Sequence, residues 1–169
     1  VNVRLATTIA AVLAVVAFGY AAWAGVSWYG NAHGDTAGYA GQRDEALMAG
    51  QVGINNFLTL DYRKVDEDLN RWLSSSTGEL RSEIDKDRES RKKQLVDAKT
   101  ITTSKVLGAA VTELDDRSGK AKVIAVVEST VTPEGGEAVR KVNRYVTELT
   151  RTEDGWKLSQ LGPLRAGGV

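Results

Sequence analysis

Residues 121–131 read Ala-Lys-Val-Ile-Ala-Val-Val-Glu-Ser-Thr-Val. The period is two. Ala121, Val123, Ala125, Val127, Ser129 and Val131 share one face of a strand, and Lys122, Ile124, Val126, Glu128 and Thr130 share the other. The first face is small and apolar, so it is the one to be covered. Downstream, Pro133 to Gly136 (Pro-Glu-Gly-Gly) is a turn. Glu137 to Arg151 is a second strand region, with Val142, Tyr145, Val146 and Leu149. Glu153-Asp154-Gly155 predicts a hairpin turn of Asp-Gly type, and Trp156 to Leu161 the last strand. Upstream, Ser104 to Leu114 is an earlier strand, joined through the polar turn Asp115 to Lys120. Its Gly108-Ala109-Ala110 would let a helix lie close on the sheet.

Before Ile101 the period is helical. From near Ala40, Leu47, Ile54, Phe57 and Leu58 recur at about 3.6 spacing, with Ala46, Gly50 and Gly53 as small positions for close packing. The two glycines lower intrinsic helicity, so this helix needs tertiary support. Leu60-Asp61-Tyr62 interrupts it. Asp61 is placed to cap a second helix from Tyr62 to about Leu73, whose inner face is Val65, Leu69, Trp72 and Leu73. Ser74 to Ser76 is a break, and Thr77 is the N-cap expected for a third helix with Leu80, Ile84, Leu95 and Ala98 as its apolar points. Its middle, Arg81 to Lys93, is mostly charged, with acid-before-base pairs Asp87–Arg91 and Glu89–Lys93 that suit a solvated face. Three helices followed by four antiparallel strands predict an α+β domain over 42–169, with the helices packed on one face of a curved sheet.

The N-terminal stretch is of another kind. Leu5 to Trp28 carries no charge, and only Arg4 precedes it. At about 1.5 Å per residue it is long enough for a hydrocarbon core of about 30 Å, so 1–30 is expected to be a single-pass transmembrane helix. Ala22-Trp23-Ala24 fits a signal-peptidase site, but the apolar run exceeds the roughly 7–15 residues of a signal core, so an uncleaved anchor is expected. The chain opens on Val1 rather than Met, so a cytoplasmic leader is expected before it. Arg4 on one side and Asp35 on the other place the N-terminus in the cytoplasm and the C-terminal domain outside the plasma membrane. Trp28 and Tyr29 fit the outer lipid interface. Ala10, Ala14, Ala17, Ala21 and Gly25 form one helical stripe of small residues, a surface on which a partner helix could pack. Alanine is also abundant off that stripe. Residues 31–41 are a glycine-rich linker holding the lone His33, which reads as solvated rather than catalytic or metal-binding.

Composition narrows the chemistry. Basic and acidic residues both number 22; with Arg4 ahead of the span, the remainder has a net charge of about −1. That argues against nucleic acid and against a polybasic lipid patch. The sequence has 0 cysteines, so thiol nucleophiles, thiolate metal sites and disulfides are excluded. No P-loop motif occurs, and nothing calls for a cofactor.

Several stretches resemble the Mce-associated membrane proteins of actinobacteria: Leu58-Thr59-Leu60-Asp61-Tyr62, Val65-Asp66-Glu67-Asp68-Leu69, Thr77-Gly78-Glu79-Leu80-Arg81, Gly108-Ala109-Ala110-Val111, Ala121–Val131, and Asp154-Gly155-Trp156-Lys157-Leu158-Ser159. The resemblance implies a cystatin-like cone of the nuclear-transport-factor class. It also implies an accessory subunit of an Mce importer of fatty acids or sterols, working with a permease and a cytoplasmic ATPase. On that reading the protein is no enzyme, and its partners are the bilayer, the permease and other subunits. Phe57, Leu58, Tyr62, Leu69 and Trp72 are then core, with Asp61 a cap. Two alternatives stand beside it. One is the inner-membrane scaffold of a type IV secretion-like machine, which shares a span and a cone. The other is a cone-fold isomerase or dehydratase, for which the strand face 121–131 offers only Ser129 as an inward polar group.

Overall fold

The computed structural model describes residues 19–24 and 38–164. The chain divides into two compact units, Val1–Gly41 and Gln42–Val169. In the first, residues 19–24 are helical, with Tyr20 and Trp23 exposed and their ring centroids 6.0 Å apart. Ala21 lies in this stretch and is exposed. Ala10, Ala14, Ala17, Gly25, Trp28, Tyr29 and His33 lie outside the described residues. Among the described residues no helix is long and apolar enough to cross a membrane. The structure therefore does not show the transmembrane helix expected over Leu5–Trp28.

The described part of the second unit is α+β, and its sheet is an antiparallel meander. Helix α1 runs over 38–58. It is followed by β1 (Leu60–Asp61), α2 (Val65–Ser75), α3 (Gly78–Lys86), α4 (Arg88–Ala98), β2 (Thr100–Asp115), β3 (Lys120–Pro133), β4 (Val139–Thr152) and β5 (Gly155–Pro163). Sheet order is β1-β2-β3-β4-β5.

Strand β3 is the middle of the sheet, and its alternation is the one read from the sequence. Ala121, Val123, Ala125, Val127 and Ser129 are buried, while their neighbours are half-buried or more open. Helix α1 covers that face with Ala46, Gly50, Gly53 and Ile54, all buried. The glycines set the approach. A Cβ on Gly50 would stand 3.1 Å from Val123 Cγ2, and one on Gly53 would overlap Leu158 Cδ1. A helix with ordinary side chains at these two places could not sit so low on the sheet.

A second core joins the helices. Val65 and Leu69 of α2 and Ile84 of α3 are buried together, with Phe57, Trp72, Leu80 and Leu95 packed against them. The Phe57 and Trp72 rings stack at 5.5 Å and 6°. Trp72 Nε1 donates to the Asn56 carbonyl at 3.0 Å, so the indole is both packed and satisfied.

Four expectations need correction. The expected third helix is two, because the chain turns at Asp87, whose N–H donates to the Asp85 and Glu83 carbonyls. α3 buries Ile84 whereas α4 buries nothing fully, so one straight helix could not serve both. The α+β part thus holds four helices, α1 to α4, and five strands rather than three and four. Second, Asp61 does not cap α2. It belongs to β1, where Leu60 and Asp61 pair with Thr102 and Ile101. Helix α2 starts at Val65, with Lys64 at the cap position and no side-chain cap bond. Third, no helix lies on Gly108: a Cβ there would meet nothing within 4 Å. Ala109 faces the core, while Gly108 and Ala110 face outward. Fourth, the β4–β5 turn closes on Thr152 and Gly155, so its central residues are Glu153 and Asp154. Only Gly155 there has positive φ (+95°), so the turn is not of the primed Asp-Gly type.

Candidate functional site

A cleft of about 850 Å³ opens between α3 and one end of the sheet. Its floor is apolar: Leu80, Leu114, Ala121, Leu149 and Leu161. Its walls carry charge, with Glu79 and Glu83 from α3, Glu113 and Asp115 from the end of β2, Lys120 and Lys122 from β3, and Glu148 from β4. Sequence reading assigned none of these a role, because the cleft gathers them from elements far apart in the chain.

The wall charges are largely committed to neighbours. Glu113 accepts from Lys122 Nζ at 2.9 Å, which raises the Lys122 pKa. Asp115 accepts from the Ser118 and Arg117 backbone N–H groups at 3.1 and 3.0 Å. Hydrogen bonding from Ser118 is the main cause that holds its carboxyl below the usual range. Glu83 pairs with Arg91 at 3.4 Å. A general acid at neutral pH needs a carboxyl pushed upward by burial or by a like charge; where these walls show a shift, it favours the charged form. Among the described residues no three His, Cys, Asp or Glu side chains are placed to hold a metal ion.

The inward polar groups are more numerous than the sequence suggested. Ser129 is buried on β3, as read. Thr147 is also buried and donates to the Gln160 carbonyl at 2.7 Å; Ser76 is buried and donates to the Trp72 carbonyl at 2.8 Å. Thr147 thereby ties β4 to β5, while Ser76 satisfies a carbonyl in the last turn of α2. Thr147 stands in phase with Tyr145 and Leu149 on the inward face of β4, opposite Val123.

The stretch Leu58 to Leu69 forms a clasp rather than a reactive site. Asp68 is buried; its carboxylate accepts the Asp61 N–H at 2.7 Å and pairs with Arg71. Arg71 also donates to the Thr59 carbonyl at 3.2 Å, so one ion pair fastens α2 to the α1–β1 junction. Thr59 Oγ1 and Ser104 Oγ lie 2.9 Å apart, and Ser104 Oγ donates to Asn55 Oδ1 at 2.9 Å, tying the end of α1 to β2. Asp61 accepts from the Arg63 guanidinium at 2.8 and 2.6 Å and from the Arg63 N–H at 3.0 Å. These bonds from Arg63 lower its pKa to about 2. Tyr62 is not core. Its hydroxyl donates to Glu134 at 2.8 Å, and Lys99 Nζ donates to the other Glu134 oxygen at 2.8 Å. Lys99 and then Tyr62 lower the Glu134 pKa.

The outward face of the sheet carries a shallow apolar hollow of about 310 Å³ over Gly108 and Ala110, bordered by Ile124, Val126, Arg144 and Leu164. It exists because β2 has almost no side chains there.

Comparison with known proteins gives consistent answers. Among solved structures, the periplasmic domain of DotI is similar with a TM-score of 0.59 at 13% identity, over 71% of this chain and 93% of that one. A periplasmic fragment of TraM scores 0.58 at 10% identity, over 73% and 97%. An IcmL-like type IV secretion system protein from Legionella pneumophila scores 0.58 at 10% identity, over 75% and 96%. At these identities the likeness is one of fold. In sequence, the chain is 32% identical over 123 residues to Uncharacterized protein Rv1363c of Mycobacterium tuberculosis (strain ATCC 25618 / H37Rv). That match covers 71% of this chain and 46% of the relative, so it spans about half of that protein's length. The model of the family described as "Uncharacterized protein Rv1363c/MT1408-like" matches residues 4–162. The chain therefore belongs to the Rv1363c/MT1408-like family.

Proposed function

We propose that the α+β unit is the extracytoplasmic domain of a membrane-tethered, non-catalytic scaffold subunit in a multi-protein machine of the cell envelope, of the type IV secretion-like class. The observation that carries this reading is the fold shared with the periplasmic domain of DotI and the periplasmic fragment of TraM. CagV of Helicobacter pylori, a VirB8 homolog of a type IV secretion system, has the same fold at a TM-score of 0.53 and 11% identity. The uncharged stretch Leu5–Trp28 supports a tether. The cleft carboxylates that pair with lysine, arginine or backbone support assembly rather than acid–base chemistry.

A second reading rests on a different observation. The order and spacing of the Leu58–Tyr62, Val65–Leu69 and Thr77–Arg81 stretches favour an accessory subunit of an Mce lipid importer. Affinity purification of the tagged full chain from gently solubilised native membranes separates the two. Co-recovery of secretion-type envelope components is the expected result. Recovery of an import permease with lipid-binding subunits selects the second reading, and recovery of the chain alone overturns both.

A further inference from the structure

The two edges of the sheet are unlike. The β5 edge is obstructed: Ser76 forms a parallel bridge with Leu158, and the Thr77 N–H donates to the Leu158 carbonyl at 2.8 Å. The β2 edge is mostly open. Strand β1 covers only Ile101 and Thr102, and β2 runs on to Asp115. Among the described residues, Thr103 to Asp115 therefore presents backbone donors and acceptors with no strand beside it. A long open edge is a template for another strand unless something blunts it.

That open stretch is self-complementary. Its middle residue is Ala109. Two copies run antiparallel about Ala109 set Lys105 of one opposite Glu113 of the other, twice by symmetry. Lys105 has no ion-pair partner in its own copy among the described residues, while Glu113 is exposed and reaches Lys122. The β2–β3 register slips at Leu107 and at Thr112, one on each side of the same centre. A two-fold axis there sets irregularity near irregularity, and the small Gly108-Ala109-Ala110 lets the strands approach. Leu107 and Val52 beside this edge are 52% and 60% exposed, and Val52 shares a shallow groove with Lys105 and Val106. A second copy would cover them. Since the β1–β2 pairing ends at Thr102, the added strand uses the whole open edge without displacing β1.

We propose that the β2 edge is a self-association surface, on which a second copy of this chain adds its own β2 antiparallel about Ala109 to make one continuous sheet. The inference stands apart from which envelope machine the protein serves. The test uses the full chain in detergent micelles, and the 0 cysteines of the sequence give a clean background. The Lys105→Cys/Glu113→Cys double variant is expected to form a covalent dimer under mild oxidation, as is an equimolar mixture of the two single variants. Each single variant alone should not, because like positions would stand about 26 Å apart along the paired strands. Cross-linking of either single variant as efficient as the double, or none in the double, overturns the proposal. Sedimentation of charge variants gives an independent readout. Lys105→Glu should weaken the dimer about tenfold or more, and adding Glu113→Lys should restore it. Failure of that restoration overturns the register.

Discussion

Asp68 shows how much one side chain can hold. It is buried, it accepts the Asp61 N–H, and it pairs with Arg71. Asp68→Ala removes both interactions and leaves a partly buried donor without a partner, at a cost of about 1–3 kcal/mol. A urea midpoint shift at unchanged slope checks this; a neutral variant would mean that water replaces the carboxylate. Asp61 behaves differently, being half-buried at the sheet edge. Its folded pKa of about 2 lies below its ordinary value of 3.8, chiefly through the Arg63 hydrogen bonds. Its contribution is therefore complete above about pH 4 and lost as pH falls toward 2. The Asp61→Asn variant should lose that part of the acid destabilisation, seen as a flatter stability-versus-pH curve between those limits. Lys99 is the non-glycine residue with positive φ (48°) among the described residues. Lys99→Gly relieves about 1 kcal/mol of left-handed strain and forfeits an exposed, solvent-screened pair with Glu134. Thermal melting should show a small net gain or none, and a clear loss would mean the Tyr62–Glu134–Lys99 link matters more than its exposure suggests.

At the level of elements, α1 and the sheet meet through absent side chains. In a free helix, Gly53→Ala would gain about 1 kcal/mol of propensity. Here the new methyl meets Leu158, a fully buried side chain, and overpacking costs about 1–3 kcal/mol. The packing term wins, so Gly53→Ala should lower the melting temperature. Gly50→Ala meets Val123 at 3.1 Å and should be nearer neutral. A stabilised Gly53→Ala would show that α1 can rise off the sheet freely. The strands and α1 were legible because their periods are clean. The break at Asp87 was not: Arg81 to Lys93 contains no glycine or proline, and its charges favour helix throughout. The break arises because Ile84 must point into the second core while α4 stays at the surface. Strand β1 was hidden for a related reason. Two residues carry no period, and they pair only because Ile101 and Thr102 lie alongside.

The whole molecule combines this domain with an N-terminal stretch whose chemistry suits lipid. If the stripe Ala10, Ala14, Ala17, Ala21 and Gly25 meets a partner helix, bulk on it must disturb assembly while leaving the domain folded. Ala17→Leu with Ala21→Leu should reduce co-purification of envelope partners, with circular dichroism of the protein unchanged. Full co-purification of that variant would move the interface to the outer domain. The cleft was illegible in sequence because its charges come from α3, β2, β3 and β4 and meet only when the sheet curls.

Local pattern by itself determined the α+β class, the inward face Ala121–Ser129, the close-packing glycines of α1 and the turn at Pro133–Gly136. Each depends on neighbours in the chain, where a period of 2 or 3.6 or the missing bulk of glycine carries the information. Tertiary structure alone decided that Asp61 serves β1 rather than a helix cap, that Asp68 and not Tyr62 is buried, that Gly108 faces outward, and that one edge of the sheet stays open. Those outcomes turn on which surfaces compete for the same backbone groups, a competition settled only when distant segments have been brought together.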